Sequence, residues 1–269
     1  MKLYSSLDEL PQIPMAFTIG NFDGVHLGHQ TVLNQLRKTG APTCVLTFIE
    51  HPFQLLRPKN VPTIITPFSV KRLFLQTDFC LLLPFTSTFA SMTYSELLKR
   101  LPISHLVLGK GSLFGRNREG TELNVRAWGQ KHNVQIQYVD KYPGVSSTEI
   151  RNAIQKGYLS QAEQLLGRPH LLYAPSTRFS ASDLTLPPDG SYVLSNGVYQ
   201  NNMKNLELDT NALAGRQVMS ENKNSRQKPT QSKTNPLNCL IATIQNQIIE
   251  LNIPIEQPTI LSFNKEFYV

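Results

Sequence analysis

His26 and His29 flank Leu27 and Gly28 in "TIGNFDGVHLGHQTVLNQL" (residues 18–36), just after an apolar run and among three glycines, Gly20, Gly24 and Gly28. Such a set suits the binding of an anionic group. Gly20 and Gly24 let the backbone turn tightly and come close to a ligand, while Gly28 keeps the entrance of the next helix open. That entrance presents unpaired N–H groups and the positive end of the helix dipole, which favour phosphate. Imidazoles at i and i+3 around a first turn can face one anion together and donate hydrogen bonds to phosphoryl oxygens. Either ring could instead cap or pack the turn, yet His-x-Gly-His after a strand and a glycine turn favours the anion. No nearby Cys or Glu completes a coordination set, so no protein metal ligand is assigned.

Three further segments carry chemistry. In "GVSSTEIRNAI" (144–154), Ser146 or Ser147 can cap a helix, and Ser146 with Glu149 has capping-box spacing. Capping alone would explain those hydroxyls, but Arg151 in the same turn adds a planar guanidinium that would complete a phosphate cradle. In "GKGSLFGRNREGTE" (109–122), Arg116 and Arg118 would bring positive charge to the same edge, with a solvated loop as the plain alternative. In "TFIEHPFQLLRP" (47–58), Phe48, His51 and Phe53 could form an aromatic slot for a flat ring, with core packing the alternative for either phenylalanine.

Alternating elements would position these segments. Strand-like runs "MAFTIG", "TCVLTFI", "FCLLLPF", "HLVLG" and "VQIQYV" are separated by helix-like runs such as "HQTVLNQLRK", "FSVKRLFLQ", "YSELLKRL" and "ELNVRAWGQKH". This alternation predicts an α/β fold, a parallel sheet with helices on both faces, and ligands at the carboxyl ends of the strands. The helices "SSTEIRNAIQKG" and "SQAEQLLG" end on Gly157 and Gly167, where a left-handed exit is expected. We therefore expect a first domain over 1–171. Beyond it, residues 172–269 hold short alternating runs, including "SYVLSNGVY" and "NQIIELNIPI", and predict a smaller β-rich domain. Polar, basic residues 215–235 predict a flexible loop within it.

With 269 residues and a formal charge of +7, the chain favours anionic partners: phosphorylated small molecules, nucleic acid or a membrane surface. The basic loop lacks interleaved aromatics, which makes nucleic acid the weakest of these. No stretch is long and apolar enough to span a bilayer and "MKLYSSLDELPQIP" does not resemble a signal peptide, so membrane attachment is not expected and the cytoplasm is the expected compartment. Cys44, Cys80 and Cys239 are widely spaced and read as reduced thiols.

Together, "GNFDGVHLGHQ", "TFIEHP", "LPFTSTFASMTYSELL", "FGRNREG", "VSSTEIRNAI" and "AEQLLGRPHLL", in that order over roughly residues 15–173, resemble the prokaryotic bifunctional riboflavin kinase/FMN adenylyltransferase (FAD synthetase) family. The resemblance implies a Rossmann-like nucleotidyltransferase domain followed by a kinase β-barrel. It implies transfer of the adenylyl group of ATP, with Mg²⁺, to FMN as substrate, giving FAD as product and pyrophosphate. It also implies roles for individual residues. His26, His29 and Arg151 would be catalytic, and Gly20, Asn21, Phe22, Asp23, Gly24, Gly28, Arg118, Ser146, Ser147 and Thr148 would bind the nucleotide. Phe48, His51 and Pro52 would face the flavin.

Two departures from the family pattern stand out. Where members commonly carry Asp or Asn and then an aromatic, this chain has Gly111 and Ser112. The kinase motif Gly-Phe-Pro-Thr-Ala-Asn corresponds to "RFSASDL" (178–184), which predicts a degenerate barrel with weak or absent riboflavin kinase activity. The alternatives are a nucleotidyltransferase acting on another small phosphate and a non-catalytic flavin- or nucleotide-binding protein.

Overall fold

The computed structural model describes residues 1–196, 240–251, 255 and 259–268. The loop expected over 215–235, the end of "SYVLSNGVY" and Cys239 lie outside the described residues. The chain divides into two units, one comprising Met1–His170 with Ala181–Pro188 and the other Leu171–Ser180 with Asp189–Val269.

The first unit is built on a six-stranded sheet of β1 (Lys2–Tyr4), β2 (Met15–Ile19), β3 (Thr43–Phe48), β4 (Phe79–Leu83), β5 (Ile103–Gly109) and β6 (Gln135–Val139), in the order β1-β4-β3-β2-β5-β6. Every neighbouring pair is parallel. The helices are α1 (Leu27–Arg37), α2 (Phe53–Leu56), α3 (Phe68–Leu75), α4 (Ser87–Ser91), α5 (Tyr94–Lys99), α6 (Glu122–His132), α7 (Ser147–Gln155) and α8 (Leu159–Leu166).

Period-two alternation explains how the sheet is covered. Met15, Phe17, Cys44, Leu46, Phe48, Leu81, Leu83, Leu106 and Leu108 face one core with Leu97 of α5 and Trp128 of α6. The intervening Ala16, Val45, Cys80, Leu82 and Val107 face the other, with Leu33 and Leu36 of α1 and Leu75 of α3. A third cluster joins Ile150 and Ile154 of α7 to Ala162 and Leu166 of α8 and to Ile65. As expected, Gly157 and Gly167 take positive φ, 78° and 73°, after these helices.

Strand order reverses between β2 and β5: from β2 the chain winds through β3 to β4, then returns to β5 beside β2 and on to β6. In an open parallel sheet, the crevice beyond the carboxyl ends of such a pair is where ligands bind. The second unit is an antiparallel sheet in the order β7-β12-β9-β10-β11-β8, from β7 (Leu171–Ala174), β8 (Arg178–Ser180), β9 (Gly190–Asn196), β10 (Leu240–Gln245), β11 (Ile248–Leu251) and β12 (Thr259–Tyr268). Among the described residues no helix is long and apolar enough to cross a membrane.

Candidate active site

The chain leaves β2 through a strained loop. Phe22 and Val25 have φ of 51° and 38°, and Gly24 has 86°. A positive φ at β-branched Val25 costs on the order of 1–3 kcal/mol and persists only where the surroundings fix it. Here they do. Lys71 Nζ donates to the Asn21 carbonyl at 2.9 Å and Thr47 Oγ1 to the same oxygen at 3.1 Å. Ser147 Oγ donates to the Asp23 carbonyl at 3.0 Å, and Arg168 Nη2 to the Gly24 carbonyl at 2.7 Å. Gln30 Nε2 donates to the Val25 carbonyl at 3.1 Å.

The loop delivers His26 as the N-cap of α1, where its Nδ1 accepts from the His29 N–H at 3.3 Å. The two imidazoles stack, centroids 3.7 Å apart. Burial lowers the His26 pKa to about 4, partly offset by the carboxylate of Asp23. His29 lies well below the usual imidazole range, again through burial, with His26 and Lys71 adding to it. Both rings are therefore neutral at pH 7. Since Nδ1 of His26 accepts, its single proton sits on Nε2 and can be donated to a ligand. The buried Nδ1 of His29 has no hydrogen-bond partner among the described residues.

A second entrance faces the first. Ser146 caps α7, accepting from the Glu149 N–H at 3.2 Å and donating to the Glu149 carboxylate at 2.9 Å. One turn on, Arg151 donates from Nη2 to Asp23 Oδ2 at 2.6 Å and from Nε to the Thr63 carbonyl at 2.6 Å. Buried Asp23 also accepts from the N–H groups of Ile65 and Thr66, at 3.0 and 3.1 Å. Asp23 is thus the hub that fixes the guanidinium. Its oxygens are taken, so it is not available as a metal ligand.

Two adjoining cavities meet at Phe22, His29 and Ser147. The first, about 310 Å³, lies at the β2/β5 reversal and is lined by Gly20, His26 and Gly28 from the first entrance, by Ser146 from the second, and by Gly109 and Lys141. The second, about 350 Å³, is lined by Asn21, Asp23, His51, Phe53, Thr148 and Arg151. Three cations, Lys71, Arg151 and Arg168, stand within reach of the loop against the single carboxylate of Asp23. That surplus of positive charge, beside two helix entrances, suits an anionic ligand.

Several expected site residues are placed differently. Phe48 is buried in the core, edge-on to Phe85 and Phe89 at 5.0 and 5.3 Å, and lines neither cavity, because it shares the face of Cys44 and Leu46. Pro52 caps the four-residue α2 and is likewise off the cavity wall. The aromatic slot is formed by His51 and Phe53, whose rings meet edge to face at 5.0 Å. Arg118 sits in a separate turn, Arg116–Arg118, with φ of 61°, and lines neither cavity. Gly24, with its positive φ, lines neither cavity, and His26 and Arg151 line different cavities that share His29.

Lys71 and Arg168 went unnoticed in the sequence. Lys71 lies four residues before buried Leu75 on α3, the one readable signal that it points inward. Burial lowers its pKa to about 8, against the pull of Asp23.

A family model described as FAD synthetase matches residues 9–152, a span that contains both entrances. The chain belongs to the FAD synthetase family. Among family relatives, it is 32% identical over 188 residues to a bifunctional riboflavin kinase/FMN adenylyltransferase of Escherichia coli (strain K12), covering 63% of this chain and 60% of that one. It is 30% identical over 199 residues to an FAD synthetase of Listeria monocytogenes, covering 67% of this chain and 81% of the relative. The chain thus spans 60% of the length of the bifunctional relative. A crystal structure of a macrolide-efflux protein from Streptococcus pneumoniae shares the fold, with a TM-score of 0.70 at 20% identity over 99% of this chain and 90% of that one.

Proposed function

We propose that the chain transfers the adenylyl group of ATP to FMN, forming FAD and releasing pyrophosphate, in the cytoplasm. The observation that carries this reading is the meeting of His29, from the first helix entrance, and Ser147, from the second, on the wall shared by the two cavities. ATP enters the first cavity and FMN the second, which brings the α-phosphorus to the shared wall. An FMN phosphate oxygen attacks that phosphorus while its bond to the β-phosphate bridging oxygen breaks.

The acceptor phosphate has a second pKa near 6 and is mostly ionised at neutral pH, so no protein base is required. The chain's part is alignment and charge stabilisation. Neutral His26 and His29 donate hydrogen bonds to phosphoryl oxygens, the first turn of α7 supplies the N–H groups of Ser147 and Thr148 with the Thr148 hydroxyl, and Arg151 holds the acceptor phosphate. Gly20, Phe22 and Gly28 shape the nucleotide wall, Asn21 lies on the acceptor side, and His51 with Phe53 takes the flavin ring. Bound with the triphosphate, Mg²⁺ would supply neutralisation of its charge. No protein ligand is assigned to it, and the Asp23 oxygens already accept from Arg151, Ile65 and Thr66. Incubation with FMN, ATP and Mg²⁺ tests the reading: equimolar FAD and pyrophosphate support it, and their absence refutes it.

Riboflavin kinase activity is proposed to be weak or absent. Supporting this, the stretch that would correspond to the kinase motif carries Ala181 and Asp183, and from Ala181 onward it belongs to the first unit, where Ile64 N–H donates to the Asp183 carbonyl and Thr185 N–H to the Ile64 carbonyl, both at 2.7 Å. Robust FMN formation from riboflavin and ATP would overturn this.

A further inference from the structure

The first cavity has a wall of its own beyond the two helix entrances, made by the turns that follow β5 and β6. Lys110, Ser112, Asp140, Lys141 and Tyr142 line it. Its two lysines are not equivalent. Lys110 Nζ is held by Asp140 at 2.7 Å, so its charge is largely compensated where it stands. Lys141 makes no ion pair with any described residue.

Gly111 explains where Lys141 lies. It has a φ of 82° and no side chain, and a Cβ built there would sit 3.4 Å from Cε and 3.5 Å from Nζ of Lys141. The lysine thus lies across bare backbone, in space that a branched or longer side chain at 111 would contest. Lys141 lines the same cavity as His26, His29 and both entrance serines. A compact, strongly hydrated ammonium on a flexible stem suits a phosphate oxygen at a solvent-facing rim.

We propose that Lys141 is a phosphate-binding residue for the nucleotide, placed over Gly111 so that its ammonium contacts a phosphate of the triphosphate in the first cavity. This deepens the adenylyl-transfer reading by adding a binding residue from the turn that follows β6, and it rests on that reading only in taking the ligand to be a nucleotide. Because the contact is charge to charge, its contribution grows with the number of phosphates and shrinks with salt.

Calorimetric titration of the full chain with ATP, AMP and adenosine, at low and at moderate salt, tests this without calling on turnover. Lys141→Ala is expected to weaken ATP binding about threefold to fivefold at low salt, as for an exposed charge pair. AMP should lose less and adenosine nothing, and Lys141→Arg should restore ATP binding. An unchanged ATP affinity, or an equal loss for all three ligands, overturns the proposal while leaving adenylyl transfer standing. A wild type that binds ATP with this phosphate-graded dependence on Lys141 but forms no FAD sinks the FMN reaction and leaves Lys141 in place. Failure of the wild type to bind ATP sinks both.

Discussion

Removing the Asp23 charge is the sharpest structural perturbation available. Asp23→Asn keeps one oxygen for the N–H groups of Ile65 and Thr66 but turns an NH₂ toward Arg151, where the carboxylate now accepts at 2.6 Å. The guanidinium would then face a donor while keeping only its bond to the Thr63 carbonyl. Breaking a buried ion pair by removing one partner costs about 3–5 kcal/mol. With 12% of the Arg151 side chain exposed, and water able to reach it through the second cavity, we expect the lower end, about 3 kcal/mol. Trp128, the only tryptophan, packs in the core of the first unit, so its fluorescence follows that unit's unfolding. At a urea dependence of about 2 kcal/mol per M, the midpoint should fall by roughly 1.5 M. Arg151→Met alone and combined with Asp23→Asn completes a double-mutant cycle, with an expected coupling of about 1.5 kcal/mol or more. A midpoint within error of wild type, or a coupling under about 0.5 kcal/mol, would refute the hub.

Two other outcomes follow from the first entrance. His26 and buried His170 have pKa values of about 4 against an ordinary 6.5, and His29 is also depressed, all chiefly through burial. Between pH 6.5 and about 4 the unfolded chain therefore binds more protons than the folded one, so stability is full above 6.5 and falls as the pH drops through that window. His26→Asn keeps a good helix cap but not the titration, and its urea midpoint should vary less steeply from pH 6.5 to 4; curves parallel to wild type would contradict the assignment. Gly28→Ala would set a Cβ 3.3 Å from Cε1 and Nδ1 of His26, tilting the ring that caps α1. We expect about a tenfold loss of kcat/KM for adenylyl transfer with little change in circular dichroism melting, whereas wild-type kinetics would show the ring to be unconstrained.

Much of the first unit was legible because its strands and helices obey simple periods. The strand-like runs expected between residues 15 and 139 correspond to β2 to β6, and the glycine turn and capped serine helix announced both entrances. β1 was missed since three residues, "KLY", carry no periodicity to read. Phe48 was misplaced by its nearness to His51 and Pro52, although its two-residue spacing from Leu46 and Cys44 already aligned it with the core face. The partners of Asp23 could not be read at all: Ile65, Thr66 and Arg151 come from distant segments, the last 128 positions away, and only the closed fold brings them together. Lys71 was hidden for a related reason, as a lysine in a helix reads as solvated unless a buried acceptor such as the Asn21 carbonyl is known.

The central claim is that His29 stands where the two substrates meet. Steady-state formation of FAD and pyrophosphate from FMN, ATP and Mg²⁺, measured side by side for wild type and His29→Ala, addresses it most directly. We expect turnover by wild type and a loss of about 100-fold or more in kcat for the variant, as for removal of one transition-state donor, with unfolding followed at Trp128 unchanged. A folded His29→Ala protein that turns over like wild type would contradict it.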